Sequence, residues 1–564
     1  MLLFVLWVIA GRASAQNSQT ENKSADGIRG TVVNSVTHEP IGRALVYSPD
    51  RFATMTDSEG HFEFTVAKSD NDNTNDGSGS ANKLSYQRAN IFGLIARKPG
   101  FIEIHTLQSG SAGKDFVISL TPESFVIGRV LLSNAEASDP IQLELYRRQV
   151  VEGRAHWVLA GSTSTKSNGE FRFAELAAGS YKLLTRELMD RDPLASDPKE
   201  QVYGYPPIYF PNAIDFAAGQ TIQLAAGQIF QADISLVRHA YYPVKVAVVN
   251  SPSAPGISIV VSVQGHRGPG YALGYNHREQ MIEGLLPNGN YTLEASSFGP
   301  NGASGVLNIS VKGAAVEGDR MTLVPNGSIG VNVKDEFTAT EDTSPPMIVG
   351  RGSNVHGPAR YLNLHLEAVD DFGQERSAWM RPRSAEDDSL VIEGVQPGRY
   401  WVRTNASRGF VASITAGTAD LRRQPLIVGL GGSSSPIEVT MRDAGADVDG
   451  TIDGVAASLN GVSTSLDIDG LPVSPDSPHV YFVPLADSNG EFRDVWVNRE
   501  GKFGPQQVPP GTYLALAFDR PQPELEYGHT EAMRAYEDKG QLIRLTAGQK
   551  DHLHLQLIST NEKP

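Results

Sequence analysis

Apolar and polar residues alternate in short runs along this chain, with turn formers between the runs, and one such pattern returns four times. Each copy holds an apolar residue, a Leu or Val, a Gly and a Tyr at the same internal spacing, and then runs on as an alternating segment. The copies are Phe171, Leu176, Gly179, Tyr181; Met281, Leu286, Gly289, Tyr291; Leu390, Val395, Gly398, Tyr400; and Phe503, Val508, Gly511, Tyr513. A spacing that repeats along a chain marks a repeated folding unit. The runs Tyr181-Lys182-Leu183, Tyr291-Thr292-Leu293, Tyr400-Trp401-Val402 and Tyr513-Leu514-Ala515-Leu516 have the period of two of a half-buried strand. Gly is expected to supply positive φ for a reversal, and Pro397 and Pro510 preset φ ahead of their glycines as in a type II turn. The tyrosines read as core or corner residues.

Successive repeat tyrosines lie about 110 residues apart, close to the roughly 100 residues of an immunoglobulin-like sandwich. With 564 residues the chain exceeds what one hydrophobic core fills, about 250 to 300. The pattern predicts an all-β protein, a tandem array of about five immunoglobulin-like β-sandwich modules. Their expected bounds are 27–122, 123–238, 239–325, 326–442 and 443–560. The turn Pro99-Gly100-Phe101 is read as the first module's variant of the repeat. A Ser, Asn, Asp and Gly-rich insertion at 69–82 interrupts the first module, and the fifth carries a short helix at 530–537. Connections of a few residues predict a semi-rigid array.

The first module opens with Gly30-Thr31-Val32, then Pro40-Ile41 leads to Ala44-Leu45-Val46. Thr56-Asp57-Ser58-Glu59-Gly60-His61-Phe62-Glu63-Phe64 follows, and Lys98-Pro99-Gly100-Phe101 makes a turn. This succession resembles the carboxypeptidase regulatory-like domain, well over residues 27 to 121 and more weakly over the second and fifth modules. The resemblance implies a transthyretin-like sandwich of the carbohydrate-binding-like group with an accessory role. It brings no catalytic residues.

Met1 to Ala10 is an apolar run of the length of a signal-peptide core, and Ala13-Ser14-Ala15 offers a small-residue cleavage site. Residues 1–15 read as a signal peptide and 16–26 as a polar leader. The run is short of the ~20 residues that span a bilayer, so no transmembrane segment is expected. The chain has no cysteine, which suits a bacterial envelope protein better than a disulfide-stapled ectodomain. Periplasm, outer-membrane surface and exterior remain open as destinations. A formal charge of −16 disfavours nucleic-acid partners, whose phosphates need Lys and Arg.

Catalytic patterns are missing. The sequence holds no His-Glu-x-x-His, Gly-x-Ser-x-Gly or Gly-x-x-x-x-Gly-Lys, and no cysteine nucleophile, so a non-enzyme is expected. No cofactor is expected either. Asp70, Asp72 and Asp76 in the insertion, and Asp447, Asp449 and Asp453 opening the fifth module, have oxygen-rich spacing that calcium can use, and the same residues are also ordinary turn formers. His552 and His554 alternate on one strand face without a third ligand.

Aromatics are the better recognition candidates, because sugar rings stack on Trp and Tyr whose polar edges stay wet. Trp157, Trp379 and Trp496 precede the repeat in their modules, and Tyr203, Tyr205, Tyr209 and Phe210 crowd a Pro-rich segment read as a loop. The same residues also read as core or inter-module packing. The expected function is a non-enzymatic, exported multi-module protein for envelope adhesion or carbohydrate binding, with a polysaccharide or envelope protein as partner. The alternative is a structural spacer or assembly partner of an outer-membrane transport or secretion complex.

Overall fold

A computed structural model describes residues 27–48, 52–65, 91–102, 108–111, 115–133, 140–190, 200–250, 256–297, 302–338, 348–349, 353–354, 362–370, 372, 377–383, 387, 389–432, 434–455, 465–466, 472–473, 478–498 and 500–559. The expected signal peptide, leader and acidic insertion lie outside these residues. The alternating runs fold as strands, and the chain is a tandem array of β-sandwiches. Principal cores gather around Val32, Val126, Val246, Val331 and Val448, which sit on the first strands of successive modules.

One pairing rule runs through the array. The first strands are Gly27–Asn34, Ser124–Leu132, His239–Val249, Gly327–Glu336 and Ala446–Asp453. Each pairs antiparallel with a strand from mid-module: His61–Thr65, Glu170–Leu176, Met281–Pro287, Leu390–Val395 and Lys502–Val508 respectively. On its other side it pairs parallel with a late strand, as Gly27–Asn34 does with Asp115–Leu120 and Ala446–Asp453 with Lys550–Ile558. Both edges of the first strand are thereby covered, leaving no free ladder to template aggregation.

Modules one, two and five share a finer device. Glycine of the first strand stands opposite phenylalanine in the pairs Gly30 and Phe62, Gly128 and Phe171, and Gly450 and Phe503. The ring fills the space that the missing side chain leaves. A Cβ on Gly128 would overlap the Ala232 carbonyl and lie 2.8 Å from Phe171 Cζ, and one on Gly450 would lie 2.7 Å from Phe503 Cζ. The turn ahead of each phenylalanine is also the same. Gly60, Gly169 and Gly501 adopt φ +75°, +81° and +74°. Their carbonyls accept from Val32, Val130 and Ile452 N at 2.8, 2.9 and 2.8 Å. Asp57, Asn168 and Asn498 side chains accept backbone N–H groups across these turns. The sequence resemblance falls on these same three modules.

The repeated Gly-x-Tyr is not a hairpin turn. Glu170–Leu176 pairs with Ser124–Leu132 in one sheet, whereas Gly179–Thr185 pairs with Gln142–Val151 in the other. The repeat is therefore the corner at which the chain crosses between sheets, and Met281–Pro287 to Gly289–Ser296 crosses in the same way. Every repeat tyrosine closes its corner identically. Tyr181 Oη donates to Ala177 O at 2.8 Å, Tyr291 to Pro287 O at 2.9 Å, Tyr400 to Gln396 O at 2.8 Å and Tyr513 to Pro509 O at 2.6 Å.

The reason for the glycine matches the expectation at two corners and differs at two. Gly179 and Gly398 lie at positive φ, +152° and +158°, as expected, whereas Gly289 and Gly511 do not. Room is what these last two positions require: a Cβ on Gly289 would lie 2.8 Å from Tyr291 Oη, and one on Gly511 2.6 Å from Ser488 Oγ. The Pro99-Gly100-Phe101 turn is of another kind, since the strands on either side, Ile91–Arg97 and Gln108–Ser111, pair within one sheet.

The segment around Tyr203 is not a free loop. Val202–Tyr205 pairs antiparallel with His239–Val249, adding a strand of the second module's return segment to the third module's sheet. The expected boundary at 238/239 is thus bridged by backbone hydrogen bonds. In the fifth module the short helix is Thr530–Met533, continued by a 3-10 turn at Arg534–Tyr536.

Candidate ligand-binding site

The structure separates the aromatic candidates. Tyr205 and Phe210 belong to the second module's core, and Tyr209 packs with Leu184 and Phe216 in a satellite core. These three are corrected from ligand contacts to packing residues, because their apolar faces are already buried. Trp157 is half-buried against the same satellite core, edge-on to Phe216 at 5.7 Å. Tyr203 is partly exposed, with the Arg238 guanidinium 4.1 Å over its ring. Trp379 and Trp496 are the exposed members, 53% and 46%. Trp379 stacks on His365 at 4.3 Å, and Trp496 lies 4.7 Å from His479.

The carboxylates of the fifth module do not form the expected cation site. Asp447, Asp449 and Asp453 share one strand, whose rise of about 3.3 Å per residue sets the first and last some 20 Å apart. Each turns to a different neighbour, Gln507, His552 and Gln556 respectively. Among the described residues no group of three His, Asp or Glu side chains is placed to hold a metal ion. Asp70, Asp72 and Asp76 lie outside the described residues.

A site not anticipated from the sequence forms where modules two, four and five meet. It starts from a hairpin, Gln142–Val151 and Arg154–Ser164, whose turn residues Glu152 and Gly153 take φ +47° and +74°. Two consecutive positive φ values are the mark of a type I′ turn, which matches the twist of the strands and lets the tip project. The tip reaches the fifth module. Gly528 N donates to Gly153 O at 2.9 Å, Arg154 Nη1 donates to Gly528 O at 3.0 Å, and Arg148 grips the Glu526 carboxylate with both Nη groups at 2.5 and 2.8 Å. Such bidentate pairs combine charge with fixed geometry.

Module four presents the outer face of a sheet to this hairpin. Along Gly398–Ala406, Tyr400 points into the core, so alternation turns Arg399, Trp401 and Arg403 outward. The Arg154 guanidinium covers the Trp401 ring at 3.7 Å. Arg403 Nε lies 2.7 Å from Glu367 Oε2 and 3.2 Å from Glu152 Oε2, and His156 Nε2 lies 2.9 Å from Glu367 Oε1. Phe216 of module two meets Phe372 at 4.9 Å. Module five joins module four through Glu491, which accepts from Val411 N at 2.8 Å, and Arg422, which donates to Asn489 O at 2.5 Å. The array is therefore folded back, with its second module touching its fifth.

Between these contacts lies a cleft of about 630 Å³. Its walls carry Arg154, Arg403, Arg422, Arg423, Arg493 and Trp401, with Glu152, Glu491 and Glu537 among them. Tyr527 stacks on Phe492 at 3.6 Å along one side. Burial lowers the Arg422 and Arg154 guanidiniums from their ordinary range, and burial pushes the Tyr527 hydroxyl up to about 12. Trp379 occupies the same sheet face as Arg403, since both stand opposite His365 on neighbouring strands. Strand spacing sets it about 10 Å away. The signal for Trp401 and Arg403 was in the sequence, as outward positions alternating with a buried tyrosine. Nothing in the sequence brought Arg154 or Tyr527 to them.

Two results are expected from the junction itself. A valine at Gly153 would sit in left-handed backbone and place its Cβ 2.6 Å from the Tyr527 ring. Gly153→Val should undock the hairpin while the modules stay folded; small-angle scattering should give a larger radius of gyration with an unchanged β circular-dichroism spectrum. Unaltered scattering would contradict the docking.

The second concerns pH. Contact with the Glu367 carboxylate raises the His156 imidazole above its ordinary 6.5, against the opposing pull of burial. Burial pushes the Glu367 carboxyl up, but His156 and Arg403 outweigh it and hold it low. A raised folded pKa on histidine contributes stability below about 6.5 that is lost as pH rises through the folded value. The Tm of the native chain should therefore fall relative to His156→Gln as pH rises from about 6 to 9. A constant difference would exclude the pair as a source of stability.

No protein-family model and no curated protein matches this chain. Solved structures do. The Bacillus anthracis TIE protein aligns at 10% identity over 78% of this chain and 74% of its own, with a TM-score of 0.14. The minor pilin of Streptococcus agalactiae aligns at 14% identity over 41% of this chain and 99% of its own, with a TM-score of 0.17. Two B repeat units of the collagen-binding protein of Staphylococcus aureus align at 10% identity over 74% and 99%, with a TM-score of 0.12.

Proposed function

We propose that this chain is an exported, non-enzymatic binding protein that holds a carbohydrate of the cell envelope at the junction of its second, fourth and fifth modules. The observation that supports this is the three-module cleft, whose volume falls within the roughly 300 to 1,000 Å³ of small-ligand sites. The exposed Trp379 lies on the sheet face that leads into it. A tryptophan with a free face gives a sugar ring its apolar contact, and the polar lining gives the hydroxyls their partners. Export rests on the apolar segment at Met1 to Ala10. Among the described residues no helix is long and apolar enough to cross a membrane.

The test is retention of the chain from Gln16 onward on a panel of immobilised polysaccharides, with Trp379→Ala beside it. At least one matrix should retain the protein, and the variant should bind about tenfold more weakly, equivalent to about 1.4 kcal/mol. Absence of retention on every matrix would refute the reading. The folded-back junction also suits an assembly scaffold, because it fixes the second module against the fifth. That second reading expects co-purification with envelope proteins and no ligand-dependent rise in Tm.

A further inference from the structure

Resting on the carbohydrate reading, we infer that the junction cleft is selective for acidic sugars and takes the carboxylate of a uronic acid between its arginines. The chain carries a formal charge of −16, yet five arginines line this one cleft beside three glutamates, with Glu367 and Asp420 pairing Arg403 and Arg423 from behind. Arginine is the side chain whose planar donors fit a carboxylate two at a time. Part of this donor set is spent within the protein, and part is not. Arg154 Nε, Arg403 Nη2 and Arg422 Nη2 are buried and have no protein acceptor among the described residues. A buried charged donor without a partner is destabilising, and a bound carboxylate relieves that cost in its surroundings.

A neutral sugar supplies hydroxyls but no charge, so it offers the unpartnered guanidinium N–H groups no charged acceptor. An acidic peptide supplies charge but meets Glu152, Glu491 and Glu537 with like charge and few hydroxyl donors. A uronate ring fits both halves of the lining. Its carboxylate faces guanidinium, and its hydroxyls donate to the glutamates. Arg403 is positioned for this by Glu367 and Glu152, which hold its Nε edge and leave Nη2 without an acceptor.

The experiment is calorimetric titration of the chain from Gln16 onward with polygalacturonate and alginate. Fully methyl-esterified polygalacturonate, dextran and poly-L-glutamate are run alongside. The acidic polysaccharides should bind at least tenfold tighter than the ester and dextran, with affinity falling as sodium chloride is raised. Arg403→Gln should weaken uronate binding at least tenfold. Because Arg403 also ties module four to the hairpin, Arg423→Gln, a more exposed member of the same cleft, is measured too, and Arg520→Gln outside it is the control. Circular dichroism verifies that each variant is folded.

Equal binding of acid and ester, or binding that neither cleft variant alters, would overturn the uronate inference and leave carbohydrate binding standing. Tighter binding of poly-L-glutamate would overturn it in favour of an acidic peptide. If no saccharide of this set or of the wider panel binds, the carbohydrate reading falls as well.

Discussion

Replacing Gly128 with valine is expected to destabilise the second sandwich strongly. The new Cβ would overlap the Ala232 carbonyl and press on the Phe171 ring, and both neighbours are fixed by strand pairing. Backbone on one side and a buried ring on the other leave no direction in which the strand can give. The expected loss is about 3 kcal/mol, at the upper end for overpacking a core. Such a loss is a large fraction of the 5 to 15 kcal/mol that a domain commands. Urea denaturation should show a separate early transition, because the other modules keep their own cores. A matched substitution at Gly450, whose Cβ would lie 2.7 Å from Phe503, should do the same to the fifth module. A single unshifted transition in either variant would refute the Gly–Phe pairing as the reason for these glycines.

Truncating Tyr513 should cost almost as much, and its two halves can be separated. The side chain is fully buried in the fifth module's core, and its hydroxyl donates to Pro509 O at 2.6 Å. Tyr513→Ala removes the ring and leaves a cavity, for about 3 to 5 kcal/mol by analogy with other large aromatics. Tyr513→Phe keeps the ring and removes the corner bond; it should cost about 1 to 2 kcal/mol, because Pro509 O loses its donor and Glu491 N, 3.2 Å from the hydroxyl, loses its acceptor. Chemical denaturation of both variants checks the split. If Phe proved as damaging as Ala, the hydroxyl rather than the ring would dominate, and the corner bond would need to be worth several times its usual value. Tyr181→Phe, Tyr291→Phe and Tyr400→Phe should repeat the small effect, since all four hydroxyls reach back to the carbonyl four residues earlier.

The repeat illustrates how far sequence reasoning goes. Its spacing is a local property, so it was legible, and with it the all-β class and the modular build. The role of the tyrosine as a corner residue was legible too, because a strand that alternates must bury one face. What the glycine does was read correctly at Gly179 and Gly398 and misread at the other two corners. Positive φ is the common reason for glycine at a turn, but Gly289 and Gly511 are there to make room for a ring and a hydroxyl that only the folded corner brings over them. Tyr205, Tyr209 and Phe210 show the same limit. Their aromatic crowding resembled a recognition loop, yet strand pairing draws Tyr205 into a sheet, and the satellite core takes Tyr209.

The binding cleft divides along the same line. Alternation by itself turned Trp401 and Arg403 away from the fourth module's core, because successive side chains of a strand leave on opposite faces. The contacts that enclose them come from Arg154, about 250 positions earlier, and Tyr527, about 125 later, and no local spacing encodes such a meeting. It depends on the type I′ tip at Glu152 and Gly153 passing close enough to Gly528 for backbone hydrogen bonding. The sequence by itself determined the strands, the corners and the number of sandwiches in prospect, since each follows from forces acting within a module. Only the tertiary structure decided which outward residues became a site, because that depends on how finished modules pack on one another.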